Sequence, residues 1–299
     1  MKAAFKSYLK SNGYTTKTIN TRLIMIGIYL SWLARENQEV EAVRYNDLLL
    51  FMKHCQQTGR SQRTIQHYIG VVKLFYQHLI AAGSLAINPA ADIQIKGVKR
   101  KTLYRIYKPE ELNHIYNSYQ QDSPEGSRDK SMLGLFCYQG VKSEELAKLE
   151  VQNIDLRKGT VEIPGGRKSN HRTMRLESHQ VLDLYDYLLQ SRNSLLAMPT
   201  TGKAKAAPTT KKLFIGSGGS HSSFNNYTSR LMRQLRALHP ELVNAKQLRA
   251  SVITKWLKAH NLREAQYMAG HRYVSTTESY QENDVEELSK EVQRYHPLS

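Results

Sequence analysis

Cysteine is scarce: the 299 residues hold two, Cys55, shortly after the apolar run at 48–52, and Cys137, within an apolar run, and neither stands in CxxC or zinc-type Cys/His spacing. That excludes a disulfide framework and a thiolate zinc site, and it reads both as reduced core residues of a cytoplasmic protein. Long apolar runs are missing too. The longest stretch without Asp, Glu, Lys or Arg, residues 74–91, is interrupted by Gln77, His78, Gly83, Ser84, Asn88 and Pro89, which argues against a membrane span or membrane partner. The start, "MKAAFKSYLKSNGY", lacks the continuous apolar region of an export signal. Acidic residues number 26 against 43 Lys and Arg, and no Asp/Glu cluster or DxD-type spacing suits a two-metal nuclease. No metal and no cofactor is expected.

What the chain has is positive charge, a net +17 with pI near 9.7. The excess is spread: residues 1–100 carry 14 Lys/Arg against 5 Asp/Glu, which is +9 and leaves +8 for the remainder. A polyanion partner is expected for both halves. An apolar content of 40% is enough for folded cores, and the length fits about two domains.

In the first hundred residues apolar positions recur at helical spacing, as in Ile19, Leu23, Ile26, Leu30 and Leu33. Four helices are expected near 2–12, 16–36, 45–57 and 61–82, with caps at Thr16 and Ser61 and stops at Asn12-Gly13, Gly59 and Gly83. Arg60, Arg63 and Lys73, with Gln66 and His67 nearby, are placed to meet phosphates and base edges. After Asn88-Pro89 comes a basic stretch poor in large apolar residues, and Pro109-Glu110-Glu111 opens a new helix. The expected division is a helical DNA-binding domain over 1–95, a basic linker over 96–108 in which Lys99 and Arg100 contact DNA, and a second domain over 109–299.

The second domain is expected to begin with helices near 109–120 and 129–139. A small antiparallel sheet follows, where Thr160–Ile163 and Thr173–Leu176 alternate apolar and polar residues around a Gly-Gly-Arg-Lys tip. "TTGKAKAAPTTKK" reads as a loop. From Ser222 onward the pattern is helical again. After Tyr280, Val285, Leu288 and Val292 recur at helical spacing and predict a short tail helix.

Cutting a DNA strand without metal requires a nucleophile, cations on the scissile phosphate and an acid for the departing 5′ oxygen. "QLRASVITKWLKAHNLREAQYMAGHRYVSTTESY" resembles the second box of the tyrosine recombinases, or phage integrases: HxLRH, then LGH about twenty residues on, then Tyr nine residues after that His. "CYQGVKSEELAKLEVQNIDL" resembles the first box, TGLRxSELxxLxxxDI. "GGRKSNHRTMRL" resembles the hairpin that carries a catalytic lysine, and "RTIQHYIGVVKLFYQHLIAAGSLAINPA" the end of the core-binding domain.

The resemblance implies a mainly α fold with a small antiparallel sheet: a helical, SAM-like core-binding domain and an α/β catalytic domain that together clamp DNA. It implies site-specific recombination through a 3′-phosphotyrosine and a Holliday junction, on double-stranded DNA with inverted-repeat core sites, by a tetramer. A mobile element is one expected setting, with phage, transposon and chromosomal systems all open, and a separate arm-binding domain is not expected. Tyr280 takes the nucleophile's place, Arg249 the phosphate-gripping arginine's and His271 the phosphate donor's. Lys168 takes the place of the general acid, with Arg167 the alternative at that position. Lys246 stands where the pattern has its first histidine.

One departure is serious: the first-box arginine is Lys142. Lysine keeps the charge and loses the two-pronged fork, and one such donor is worth roughly 3 kcal/mol, about a hundredfold in rate. Either the enzyme is slow, or Arg172 or Arg167 stands in, or the chain no longer cuts. The rival readings are therefore a non-catalytic DNA-binding protein that keeps the fold, and a type IB topoisomerase-like enzyme. Glu145, in the same box, reads as a structural partner for nearby backbone or cations.

Overall fold

The computed structural model describes residues 1–95, 104–166, 169–200, 209–222 and 224–281. Outside them lie Lys99, Arg100, Arg167, Lys168, most of the loop expected after residue 200, and the expected tail helix. The chain divides into two compact units, Met1–Thr102 and Leu103–Ser299.

The first unit is built from α1 (Lys2–Ser11), α2 (Thr16–Arg35), α3 (Tyr45–Gln57) and α4 (Gln62–Ala81). Ser61 caps α4 as its sequence predicts, its Oγ accepting the Thr64 N–H at 3.2 Å. The expected cap Thr16 is instead the first helical residue of α2. Thr15 caps that helix and accepts the Thr18 N–H at 3.4 Å. Gly13, Gly59 and Gly83 sit at φ +73° to +75°, the left-handed turn that ends a helix at little steric cost. Phe5, Tyr29, Trp32, Phe51, Phe75 and Tyr76 form an aromatic core. Each large apolar side chain so buried contributes about 1.5–3 kcal/mol. Tyr76 donates to the Val40 carbonyl at 3.1 Å and accepts from Tyr29 at 2.8 Å, so neither buried hydroxyl is orphaned.

The second unit opens with α5 (Pro109–Asn117) and α6 (Pro124–Cys137). The second helix starts earlier than expected because Ser123 caps it, accepting the Gly126 N–H at 3.0 Å, and Pro124 fits its first turn. From Ser127 to Cys137 every residue of α6 is buried, including Arg128, Asp129 and Lys130. These charges are satisfied locally: Asp129 pairs with Arg128 and Arg230, and the Lys130 ammonium donates to the Tyr116 and Tyr119 carbonyls near the end of α5.

A short α7 (Ser143–Leu146) leads into β1 (Ile154–Asp155), β2 (Thr160–Ile163) and β3 (Arg172–Arg175), an antiparallel sheet in that order. Val161 pairs with Met174 and Ile163 with Arg172, so this row of inward side chains contains one arginine. The next stretch, α8 (Ser178–Asp186), a π-helical turn (Tyr187–Ser191) and α9 (Arg192–Ala197), carried no expectation from sequence. The unit closes with α10 (Phe224–Leu238), α11 (Ala245–Ala259), α12 (Leu262–Ala269) and α13 (Val274–Glu278). Cys55 and Cys137 are free and buried, one in each unit's core, and burial pushes both thiols up. Among the described residues no helix is long and apolar enough to cross a membrane.

Candidate active site

The site forms where the turn after α6, strand β3, helix α11, the end of α12 and the turn after α13 meet. Asn244 caps α11 by accepting the Lys246 and Gln247 N–H groups. Arg249, one turn further in, is 4% exposed. Its guanidinium donates to the Gly140 carbonyl through Nη1, and through Nη2 to the Ala269 carbonyl at 2.7 Å and His271 Nε2 at 3.0 Å. Nε is buried without a partner. Burial pushes the guanidinium down, and the Glu145 carboxylate and the Tyr280 side chain oppose that.

Gly270 ends α12 at φ +62°, and a Cβ there would run into the Arg172 guanidinium. The chain therefore turns closely enough to bring His271 back onto Arg249. The returning arm of the β2–β3 hairpin fixes that turn: the Asn170 N–H donates to the Gly270 carbonyl at 3.0 Å, and Ser169 bridges to His271. Gly166 and Ser169 pair with each other on either side of Arg167 and Lys168, which lie outside the described residues.

His271 is 3% exposed, and its Nδ1 lies 2.9 Å from Thr277 Oγ1. Burial, with the charges of Arg249, Lys142 and Arg172, lowers it from its ordinary 6.5 to about 3. It is therefore neutral at physiological pH. A guanidinium only donates, so Nε2 accepts and Nδ1 carries the proton. The Tyr280 ring stacks on this imidazole, centroids 5.7 Å apart and planes 19° from parallel. Its turn is closed by the Tyr280 N–H donating to the Thr277 carbonyl at 3.0 Å.

Lys142 precedes α7 and is half-buried. Burial and the charge of Arg249 lower its ammonium. Its N–H donates to Glu145 Oε2 at 3.0 Å, and both oxygens of that carboxylate accept the fork of Arg172, at 3.1 and 3.0 Å. Burial alone would raise the Glu145 carboxyl, but the hydrogen bonds and charge of Arg172 outweigh it and hold the group below its ordinary value. Glu145 thus has the structural role its sequence suggested. Arg172 is fully buried with both terminal nitrogens on Glu145, so here its fork does not face outward to a phosphate. Lys246 is exposed one turn before Arg249, on the same face of α11. It lines a cleft of about 380 Å³ with Ser143, Ser229, Arg236 and Asn244.

In the first unit Arg60 and Arg63 are exposed. The Lys73 ammonium is engaged, donating to the Ala91 carbonyl at 2.8 Å. Gln66 and His67 line a groove of about 480 Å³ whose other wall, on α2, includes Lys17, Thr21 and Arg22. Arg22 lies 3.9 Å over the Tyr14 ring and has a buried Nη1 without a partner.

Sequence reasoning missed Arg22, Arg236 and Thr277. The first two sit on faces that only packing reveals. Thr277 did carry a signal, six residues after His271 and three before Tyr280, within one helical turn of the tyrosine. Among the described residues no three His, Cys, Asp or Glu side chains gather where they could hold a metal.

The sequence profile of the phage integrase family matches residues 105–287, and that of the phage integrase N-terminal SAM-like domain matches residues 3–83. The chain is 26% identical to tyrosine recombinase XerC of Oceanobacillus iheyensis, over 98% of this chain and 94% of that protein. It is 29% identical to tyrosine recombinase XerC of Shewanella amazonensis, over 84% and 80%. Among solved structures, a lambda integrase dimer bound to a COC′ core site aligns with TM-score 0.68 at 13% identity, covering 95% of this chain and 76% of that one. The Tn1549 transposon integrase in complex with a circular intermediate DNA aligns with TM-score 0.67 at 15% identity, covering 97% and 98%. These two likenesses are of fold.

Proposed function

The chain belongs to the phage integrase family of tyrosine recombinases, and from that premise we propose that it cuts and rejoins DNA at specific sites through a phosphotyrosine bond on Tyr280. The observation that carries the reading is the convergence of Arg249, His271 and Tyr280 from three separate segments: a 3.0 Å contact joins the first two, and a ring stack joins the last two. A tyrosine held against a buried cation and a neutral imidazole suits in-line attack on a phosphodiester.

In the proposed reaction the Tyr280 phenol releases its proton to solvent as its oxygen bonds to phosphorus, and the bond from phosphorus to the 5′ oxygen breaks. Lys168 gives that oxygen its proton, since an ammonium exchanges protons where a guanidinium practically does not. Arg249, Lys142 and Lys246 offset the charge that gathers on the phosphate. Arg172 acts through Glu145, which ties α7 to β3, and so holds Lys142 in place without gripping phosphate itself.

Arg60, Arg63 and the groove between α2 and α4 are the proposed duplex contacts of the first unit, with Lys99 and Arg100 following in the linker. Two such subunits would occupy inverted arms of a core site, and pairing of two sites into a tetramer would let strands exchange through a Holliday junction. The cytoplasm, and a mobile element as substrate, are the proposed setting.

The test is a plasmid carrying two direct copies of DNA flanking the protein's own gene, incubated with purified protein in EDTA. Deletion of the intervening segment by the wild type, and none by Tyr280→Phe, is the expected result. Tight binding with no deletion and no cleavage in either protein would favour the non-cutting DNA-binder.

A further inference from the structure

His271 is buried, neutral and bonded through both nitrogens, and its present bonds point the wrong way for the reaction. Nε2 accepts from Arg249, and Nδ1–H donates to Thr277. The phosphodiester of a DNA strand has only acceptors to offer, so Nε2 must carry the proton when it arrives. The ring then holds its proton on Nε2, and Nδ1 becomes an acceptor in need of a donor. Thr277 is 0% exposed, which leaves no water to supply that donor. A backbone carbonyl in its place would lock the proton on Nδ1. A hydroxyl alone does both tasks, accepting from Nδ1–H in one state and donating to bare Nδ1 in the other.

We infer that Thr277 is a positioning residue whose rotating hydroxyl lets His271 exchange tautomers when the scissile phosphate displaces it from Arg249. The exchange moves the ring proton from Nδ1 to Nε2 with no net gain or loss. The groups facing the ring allow this without charging it: Arg249 from α11, Lys142 and Glu145 beside and within α7, Arg172 from β3 and Tyr280 stacked above. The positive ones hold the imidazole neutral, so the choice lies between two tautomers. Thr277 also links the ring to the nucleophile, because its carbonyl accepts the Tyr280 N–H. Arrival of the phosphate, reorientation of His271 and placement of Tyr280 thereby share one residue. This inference rests on the reading of the site as the place of the scissile phosphate.

The experiment uses the full-length Tyr280→Phe protein with 15N-labelled histidine, titrated with dimethyl phosphate, a phosphodiester without an O–H donor, and observed by NMR. The expected spectrum shows Nδ1 protonated in free protein and Nε2 protonated with phosphate bound. Cleavage of a nicked duplex by proteins that retain Tyr280 is the second readout: Thr277→Ser is expected to cut at the wild-type rate, and Thr277→Val about tenfold slower, the worth of one buried hydrogen bond. A phosphate response at His271 with Nδ1 still protonated overturns the tautomer exchange and leaves the phosphate site standing. No response at His271 overturns both. Equal cleavage by the Ser and Val variants overturns the role of Thr277; if Thr277→Val folds poorly, Thr277→Ala takes its place, and the spectrum of the Thr277-containing protein still decides whether the exchange occurs.

Discussion

In the amino-terminal unit Arg60 and Arg63 stand exposed, whereas in the second unit Arg249 is 4% exposed and Arg172 fully buried, every terminal nitrogen of both engaged by the protein itself. The two arrangements suit different tasks. Exposed cations meet any phosphate within reach, are screened by salt and contribute affinity without choosing a geometry. A buried guanidinium has lost its hydration and is stable only because carbonyls and carboxylates replace the water. In return it is fixed to within a fraction of an ångström, which transition-state stabilisation requires. The first unit is therefore read as the holder of DNA and the second as the place where one phosphate is gripped.

The sharpest way to break this contrast is to remove a buried partner. Arg172→Met strips the buried Glu145 carboxylate of the fork that both its oxygens accept, leaving it the Lys142 backbone N–H, and is expected to destabilise the protein by about 3–5 kcal/mol, seen as a lower urea midpoint. Adding Glu145→Met should recover most of that loss. Arg249→Ala is expected to slow cleavage of saturating DNA about a hundredfold or more, read from covalent adduct formed over time. If either variant behaved like a surface substitution, the buried network would not organise the site.

Acid probes the same network. His271 is lowered from 6.5 to about 3. Between those values the unfolded chain binds a proton that the folded chain does not, so stability present at neutral pH is lost as pH falls through that window. Glu145 is also lowered, from 4.5, and its contribution is present above that value and lost below it. The urea midpoint should therefore fall steadily from about pH 6.5 downward, and His271→Gln should flatten the upper part of that fall.

Lys142→Arg tests the departure from the family pattern: cleavage is expected to speed up or stay unchanged, and a large loss would mean that the site has re-formed around lysine. The smallest effect belongs to the surface. Arg60→Ala and Arg63→Ala should each weaken DNA binding a few-fold and reduce the slope of log affinity against log salt by about 0.9, with cleavage at saturating DNA unaltered.

How much of this was legible in sequence differs between the units in the same sense. The four helices of the first unit follow from single apolar stripes punctuated by Ser61, Gly13, Gly59 and Gly83, because local chemistry decides such boundaries. The stretch Ser178–Ala197 was not legible. Its apolar residues wrap the helix, with Leu184 and Tyr187 inward and Leu182, Tyr185 and Leu189 exposed, and a π-helical turn breaks the period. Arg249, His271 and Tyr280, which the structure brings together, were singled out through the resemblance of their stretch to the family's second box. The Arg172–Glu145 pair was not, because its members stand 27 residues apart and meet only when β3 packs against α7. Sequence offered Arg172 as a stand-in for the missing arginine fork, and folding turns that fork inward.

The most direct test of the central claim is to capture the covalent bond. Wild-type protein is mixed in EDTA with nicked duplexes drawn from DNA flanking its own gene, stopped with SDS and digested, and the modified peptide is identified by mass spectrometry. The account predicts a nucleotide on Tyr280 and none in Tyr280→Phe, with DNA affinity of the two proteins within a few-fold. Tight binding of the same duplexes without any adduct, or an adduct on another residue, would contradict it.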